Sequence, residues 1–276
     1  MKKTWILLLI SSLFFSCQEE VILDLDQKEG RIPVIEGYWT DQGISNEVRI
    51  SLAKNYYDSL DKESVRDAEV FVKEQSTGRK IAFRYLDATQ SYRPNPTERA
   101  IVGETYQLNV SWKGQTYQSE GLMLAPPILD SVVWNYEKDR PFRGEGYFIK
   151  VYGKIPFLDN NQYRIRVIEN DTLKNQREDY LLFDDTFGLQ VFEKGLELGY
   201  AFQKNDRVRM ELYRLNKDAF VYLNQLVNLL FSDGGLFSPP PQNPTSNIRV
   251  VSGKGEVLGY FVVSPVLTRT VTIVPD

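Results

Sequence analysis

From residue 31 to about 125 the chain is a succession of short segments rich in Val, Ile, Tyr and Phe, with no helical periodicity of any length between them. The clearest is 106–112, where Tyr106, Leu108, Val110 and Trp112 alternate with Gln107, Asn109 and Ser111. A period of two sends the two sets to opposite faces, so this segment reads as a strand with one wet face and one dry face. Residues 31–40, 47–53, 68–73 and 80–86 are also short and β-rich. Two connections predict tight hairpins: Ser76-Thr77-Gly78-Arg79, and Lys113-Gly114 leading into 115–119. Strands at this spacing with local connections predict an antiparallel β-sandwich of immunoglobulin-like size, roughly 100 residues.

Ala125-Pro126-Pro127 interrupts the run. Two successive prolines remove two amide donors and force extended backbone, so the sheet stops and a semi-rigid linker begins. The expected division is an N-terminal β-sandwich over 31–125 and a C-terminal β-rich domain over 128–276, and the 260 residues from Cys17 onward suit two domains. The second half reopens with strands at 131–136, 147–155, 162–168 and 207–213 and closes with strands at 257–264 and 268–274. Between Asn170 and Asn205 the pattern is irregular and reads as loops with short strands.

One helix is expected near 216–231. Asn216 can cap it, Asp218 complements its N-terminus, and Ala219, Tyr222, Leu223, Leu226 and Leu230 form an apolar stripe at helical spacing. Gly234-Gly235 would end it, and the prolines 239–241 beyond must be extended. The stripe reads as a helix packed on a sheet. The fold class is therefore mainly β: two immunoglobulin-like β-sandwich domains, the second with one inserted α-helix.

The first thirty residues give an address. Lys2 and Lys3 precede an apolar run of 11 residues, Trp5 to Phe15, and then Ser16-Cys17. That run is too short for the roughly 20 residues of a membrane-spanning helix. Residues 1–16 read as a lipoprotein signal peptide, with Cys17 as the lipidated N-terminus and 17–30 as a tether. The rival is ordinary secretion, which would leave Cys17 as a lone reactive thiol in an oxidising compartment. Asp24-x-Asp26 lacks the glycine and the distal glutamate of a calcium loop.

Two absences narrow the chemistry. The chain has no histidine and only one cysteine, which removes Ser-His-Asp and Cys-His catalysis, His-ligated metal sites, thiolate metal sites and disulfides. Catalysis would fall to carboxylates, lysine, tyrosine or an oxygen-bound metal; no metal or cofactor site is expected. The formal charge is −4, or −6 once Lys2 and Lys3 are removed, which disfavours nucleic acid as a partner.

Two sets of residues invite functional readings. Trp39, Trp112 and Trp134 could stack on sugar rings, and Trp112, at a hairpin end, is the candidate ligand-binding residue. Against this, aromatics pack well in strands, and Trp134 alternates with Val132 and Tyr136 as a core face would. Asp184-Asp185 is the conspicuous acidic pair, but neighbours on a strand point to opposite faces and make a poor hydrolytic dyad. On a loop the pair could bind an ion. No catalytic residue is assigned.

Several blocks together resemble the DUF4249 lipoproteins of Bacteroidota: the cysteine at 17, Ile35-Glu36-Gly37, the segment Asp67 to Val72, Gly103 to Leu108, and a closing block of Asn243-Pro244-Thr245-Ser246-Asn247-Ile248 followed by Gly253 to Gly259, Tyr260 and Phe261. Where many members carry a glycine pair soon after Asn-Ile, this chain has Arg249-Val250-Val251-Ser252 first. The likeness covers essentially the whole chain after residue 17. It implies an envelope lipoprotein, often encoded near a TonB-dependent outer-membrane transporter, and Gln18-Glu19-Glu20 is similar to a surface-export signal, although a solvated linker would look the same. The expectation is a lipid-anchored outer-membrane protein, surface-exposed, acting as a non-catalytic binding or accessory subunit. The alternatives are a structural envelope component or a carboxylate-dependent glycan hydrolase. Independently of kinship, the amide of Asn247 can satisfy backbone groups and Gly259 permits close backbone approach, so the closing block also reads as loop-shaping.

Overall fold

Trp39 sits at the centre of the first core, fully buried and flanked by Tyr106 and Phe83 with ring centroids 5.5 and 5.9 Å away. The computed structural model that shows this describes residues 32–53, 63–140, 143–176, 179–187, 190–231 and 242–274. Cys17, the tether, Gly234-Gly235 and the prolines 239–241 lie outside the described residues. The protein is mainly β: among the described residues seventeen strands form three sheets, joined by one α-helix of length and a few short helical turns.

The first sheet takes its strands largely where the alternation placed them: β1 (Pro33–Thr40), β2 (Glu47–Leu52), β3 (Glu69–Glu74), β4 (Lys80–Leu86), β5 (Ser91–Arg93), β6 (Thr105–Trp112) and β7 (Gln115–Leu122). In β6, Tyr106, Leu108 and Val110 are fully buried. Trp112 pairs with Gln115 across Lys113-Gly114, both with positive φ (47° and 75°). That is the primed two-residue turn whose twist matches the flanking strands. Between β3 and β4, Gly78 (φ 73°) closes the other predicted hairpin, its N–H donating to the Glu74 carbonyl at 2.9 Å.

The remaining elements are β8 (Ile128–Arg140), β9 (Gly144–Lys154), β10 (Gln162–Glu169), β11 (Thr172–Leu173), β12 (Leu181–Asp184), α1 (Gln190–Glu193), β13 (Leu196–Glu197), β14 (Arg207–Arg214), α2 (Lys217–Leu230), β15 (Arg249–Ser252), β16 (Leu258–Ser264) and β17 (Val266–Thr272). The sheets do not divide at Pro126-Pro127. The nine-stranded sheet runs β15-β7-β6-β3-β4-β5-β2-β1-β16, so two strands from beyond residue 248 complete it. The residues 31–125 thus supply seven of its nine strands, and the described residues from 32 onward fall in one compact unit.

The reason lies in β16. Tyr260, Phe261, Val262, Val263 and Ser264 are all buried, so the strand needs cover on both faces. Parallel pairing with β1, in register from Val34↔Leu258 to Thr40↔Ser264, sets it between two packed layers. Phe261 and Val263 enter the first core, while Tyr260 and Val262 face α2. Only Pro265 separates β16 from β17, which pairs with β14 in the five-stranded sheet. That sheet, ordered β11-β10-β14-β17 with β12 also on β10, packs through Ile165, Val167, Met210 and Leu212 against Ile149 and Val151 of the three-stranded sheet β13-β9-β8.

Asn216 occupies the N-cap position of α2, but its side chain makes no cap hydrogen bond. Its Nδ2 donates to the Leu122 carbonyl (3.0 Å) and its Oδ1 accepts from the Val263 N–H (3.0 Å). The amide thus joins the end of β7 to the edge of β16. Asn247 does the same one step along: its Nδ2 donates to the Phe261 carbonyl at 2.9 Å and its Oδ1 accepts the Phe261 N–H at 2.8 Å. Ser246 Oγ donates to the Gly259 carbonyl at 2.9 Å, and Ser119 Oγ of β7 donates to the Asn247 carbonyl at 2.8 Å. Successive outward-facing positions of an edge strand, 259, 261 and 263, are therefore paired by side chains instead of a tenth strand.

The other face of β1 and β16 meets the five-stranded sheet through a tyrosine and arginine cluster. Tyr38 and Tyr260 share a hydroxyl hydrogen bond of 2.8 Å, and Arg164 Nη1 of β10 donates to Tyr38 at 3.0 Å. Arg166 Nη1 donates to the Tyr213 hydroxyl at 3.2 Å, and Tyr213 donates to Glu211 at 2.9 Å. Burial pushes the Tyr260 and Tyr213 hydroxyls above the ordinary tyrosine range. Burial also works against the charge of Arg166, but Tyr213, Tyr38 and Glu211 outweigh it and keep the guanidinium firmly protonated.

Arg214 pins the proline linker. Its guanidinium donates to the carbonyls of Ala125, Asp159 and Asn160 at 2.9 to 3.0 Å and lies 3.6 Å from the Phe157 ring centroid. Desolvation pulls its pKa below the usual arginine value, yet three carbonyl acceptors and a ring face remain to hold the charge.

Candidate functional site

The hairpin from β10 to β11 turns on Asn170-Asp171, both with positive φ (49° and 65°), pairing Glu169 with Thr172. Asn170 then ties the turn to β14. Its backbone N–H donates to the Arg207 carbonyl (2.9 Å), its Oδ1 accepts from the Arg207 N–H (3.0 Å), and its Nδ2 donates to Asp206 (2.9 Å). Burial works to raise the Asp206 carboxyl, but bonds from Asn170 and the Gln203 N–H, with Lys174 nearby, hold it below the usual range. The turn is a rigid corner.

Beyond that corner lies a concavity of about 280 Å³, lined by Glu169, Thr172, Lys174, Asn175, Gln176 and Asp179, with Leu173 and Tyr200 completing the wall. Lys174 Nζ donates to Glu169 at 2.7 Å and stands 4.5 Å from the Tyr200 ring centroid, so the ammonium is held by a carboxylate and an aromatic face together. Asp179 is 7 % exposed. Its Oδ2 accepts the Gln176 N–H at 2.8 Å, whereas its Oδ1, also out of contact with solvent, accepts no hydrogen bond. A buried carboxylate oxygen without a donor is costly, of order 1–3 kcal/mol or more. The cleft therefore presents an ammonium fixed to a carboxylate and two side-chain amides, while the unmet Asp179 oxygen lies beneath its surface.

A second gap, about 10 Å³ between Leu129, Val151, Met210 and Leu267, is apolar and no larger than one water. It is a packing flaw between the two smaller sheets.

The tryptophans foreseen as sugar platforms are placed as packing residues. Trp112 is half-buried against the first core; its indole N–H donates to Asp67 at 2.9 Å, and Lys113 Nζ stands 4.5 Å from the ring centroid. Trp134 is half-buried and donates to the Val274 carbonyl at 2.9 Å, but Tyr136, expected on the same dry face, is 47 % exposed and bonded to Glu145. Asp184 ends β12 and accepts from the backbone and hydroxyl of Thr186, while Asp185 begins the following helical turn. The pair shapes a local turn. Among the described residues no group of three or more acidic, histidine or cysteine side chains is placed to hold a metal ion.

None of these residues lies in the cleft, and the residues that do were not singled out from the sequence. Asn170-Asp171 carried a turn signal, but nothing in the spacing of Glu169, Lys174 and Asp179 marks them as neighbours of Tyr200.

Comparison with curated proteins and with solved structures returned no match. The family described as "Domain of unknown function (DUF4249)" matches residues 18–270, nearly the whole chain after the predicted signal peptide. The fold, its side-chain-paired seam and its polar cleft are therefore features of a chain that belongs to the DUF4249 family.

Proposed function

We propose that this protein is a lipid-anchored outer-membrane protein that serves as a non-catalytic binding or accessory subunit beside a TonB-dependent transporter. The observation that carries the binding part is the cleft at Asp179. It is a preformed polar concavity on a hairpin fixed by Asn170, walled by the Lys174–Glu169 pair and the side chains of Asn175 and Gln176. The anchor part rests on Lys2-Lys3, the apolar run and Ser16-Cys17. Residues 17–30 reach at most about 50 Å when fully extended, enough to set the folded body beside a membrane partner. The transporter rests on the family resemblance.

Gentle detergent extraction of the tagged protein from its native membrane, followed by mass spectrometry, tests the partner: a stoichiometric transporter is expected, and recovery of the protein alone would refute the accessory role. Cys17→Ser is expected to abolish palmitate labelling and membrane fractionation. If both persist in that variant, the anchor reading is wrong.

A further inference from the structure

We propose that the outer edge of β8 pairs with the same edge of a second copy of this chain, giving a twofold dimer in which two three-stranded sheets join into one. This goes beyond the accessory reading and does not rest on it. Among the described residues β8 pairs only with β9, at one side of the sheet β13-β9-β8. The hydrogen bonds of β9 show which peptide groups of β8 point outward. Tyr147 exchanges both backbone hydrogen bonds with Phe202, and the Ile149 carbonyl accepts from Leu198, so these residues turn their peptide groups away from β8. Tyr136 and Trp134, opposite them in the ladder, therefore turn their own N–H and C=O groups away from β9, and by the same alternation so does Val132, opposite Val151. No hydrogen bond from another described residue reaches these groups.

The side chains leave the edge open. Ser131-Val132-Val133-Trp134-Asn135-Tyr136 has no charge and no proline and is rich in β-branched and aromatic residues, the composition that draws another strand onto a bare edge. Val133 and Tyr136 are 39 % and 47 % exposed. Other outer strands are protected. β17 carries Arg269 at mid-strand and Gln42 on its Val266 carbonyl, β15 is four residues long and opens with Arg249, and side-chain amides close β16.

A second copy fits because the edge is complementary to itself. An antiparallel pair about a twofold axis at Trp134 sets Trp134 opposite Trp134, Val132 opposite Tyr136 and Val133 opposite Asn135. Every outward N–H and C=O of Val132, Trp134 and Tyr136 then meets its counterpart in reciprocal hydrogen bonds. The same register brings Asp130 opposite Lys138 at both ends. An axis at Val132 would set Asp130 opposite Trp134 and Lys138 opposite Pro126, and an axis at Tyr136 would set Lys138 opposite Trp134 and Arg140 opposite Val132. Only the axis at Trp134 pairs the opposite charges. Register shifts against β9 between Leu129 and Ser131 and between Glu137 and Arg140 confine the ladder to the stretch between them, with the charge pairs at its ends.

The test is light scattering of the full chain in mild detergent over a range of concentrations, joined to cysteine crosslinking in intact membranes. A particle of two chains is expected. Tyr136→Pro deletes an outward N–H that β9 does not use, and should weaken the dimer roughly ten- to hundredfold while circular dichroism stays unchanged. Asp130→Lys should weaken it roughly tenfold, and adding Lys138→Asp should restore it, which a merely local disturbance would not do. Val133→Cys combined with Asn135→Cys should crosslink chain to chain, because directly opposed residues of a non-hydrogen-bonded pair stand about 4.5 Å apart, within disulfide reach. The proposal is overturned if the chain is a monomer throughout, if the dimer persists unweakened in both Tyr136→Pro and Asp130→Lys, or if the cysteines crosslink to a different protein instead. Copurification of a transporter is read separately, so failure of the dimer and failure of the accessory role remain distinct.

Discussion

Asn247→Ala should destabilise the fold far more than the loss of one half-buried polar side chain would suggest. The substitution removes the donor to the Phe261 carbonyl and the acceptor for the Phe261 N–H, at 2.9 and 2.8 Å. Phe261 is fully buried at the edge of the nine-stranded sheet, and its neighbours Tyr260 and Val262 carry the pairing to β1. Two backbone groups are thus left without partners, at about 1–3 kcal/mol each, or about 2–6 kcal/mol together. Water entering the space left by the amide recovers part of this, so about 3 kcal/mol is expected. For a domain of this size that is about 6–12 °C in Tm.

Urea unfolding followed by tryptophan fluorescence would measure it, with Asn243→Ala as the control. Asn243 is exposed in the same loop, and its substitution should stay within about 0.5 kcal/mol. Hydrogen exchange supplies a local readout: the Phe261 amide should exchange faster in Asn247→Ala while amides in β10 and β14 change less. Equal unfolding midpoints for the two variants, or an unaltered Phe261 amide, would refute the idea that side-chain amides close this seam.

Two other outcomes follow from the same structure. Gly259→Ala should prevent recovery of folded protein, because a Cβ there would lie 1.9 Å from the Ile35 carbonyl oxygen at φ 116°; Gly114→Ala, with open space around it at φ 75°, should cost only about 1–2 kcal/mol, and circular dichroism of the two variants would show the contrast. Alkaline pH should weaken the fold. Burial pushes Tyr163 and Tyr222 up to about 12, so the unfolded chain loses these protons first; the stability they contribute is whole below pH 10 and is lost between about pH 10 and about pH 12. Melting temperature against pH, with tyrosinate absorbance as the monitor, would check this, and a flat profile over that window would contradict it.

The amino-acid sequence determined by itself what depends on local periodicity and turn chemistry. The alternation in 106–112, the Lys113-Gly114 turn and the stripe from Ala219 to Leu230 became β6, its hairpin and α2, because each records forces acting between near neighbours, although Leu230, at the end of the stripe, is exposed. The roles foreseen for Asn247 and Gly259 also hold: one satisfies backbone groups through its amide, the other lets β16 approach β1. β5 and β15 escaped notice because three or four residues carry too little pattern.

What tertiary structure alone decided is where the segments go. Pro126-Pro127 looked like a boundary, yet β16 returns across it, since a strand apolar on both faces gains most between two cores and the first core offered an open edge beside β1. Asn216 stood at a cap position, yet its amide serves β7 and β16, where a buried edge needed a donor and an acceptor at once. The cleft is of the same kind. Glu169, Lys174, Asp179 and Tyr200 meet only because two hairpins and a loop fold onto one corner, and no local pattern encodes a contact whose partners lie up to thirty-one residues apart.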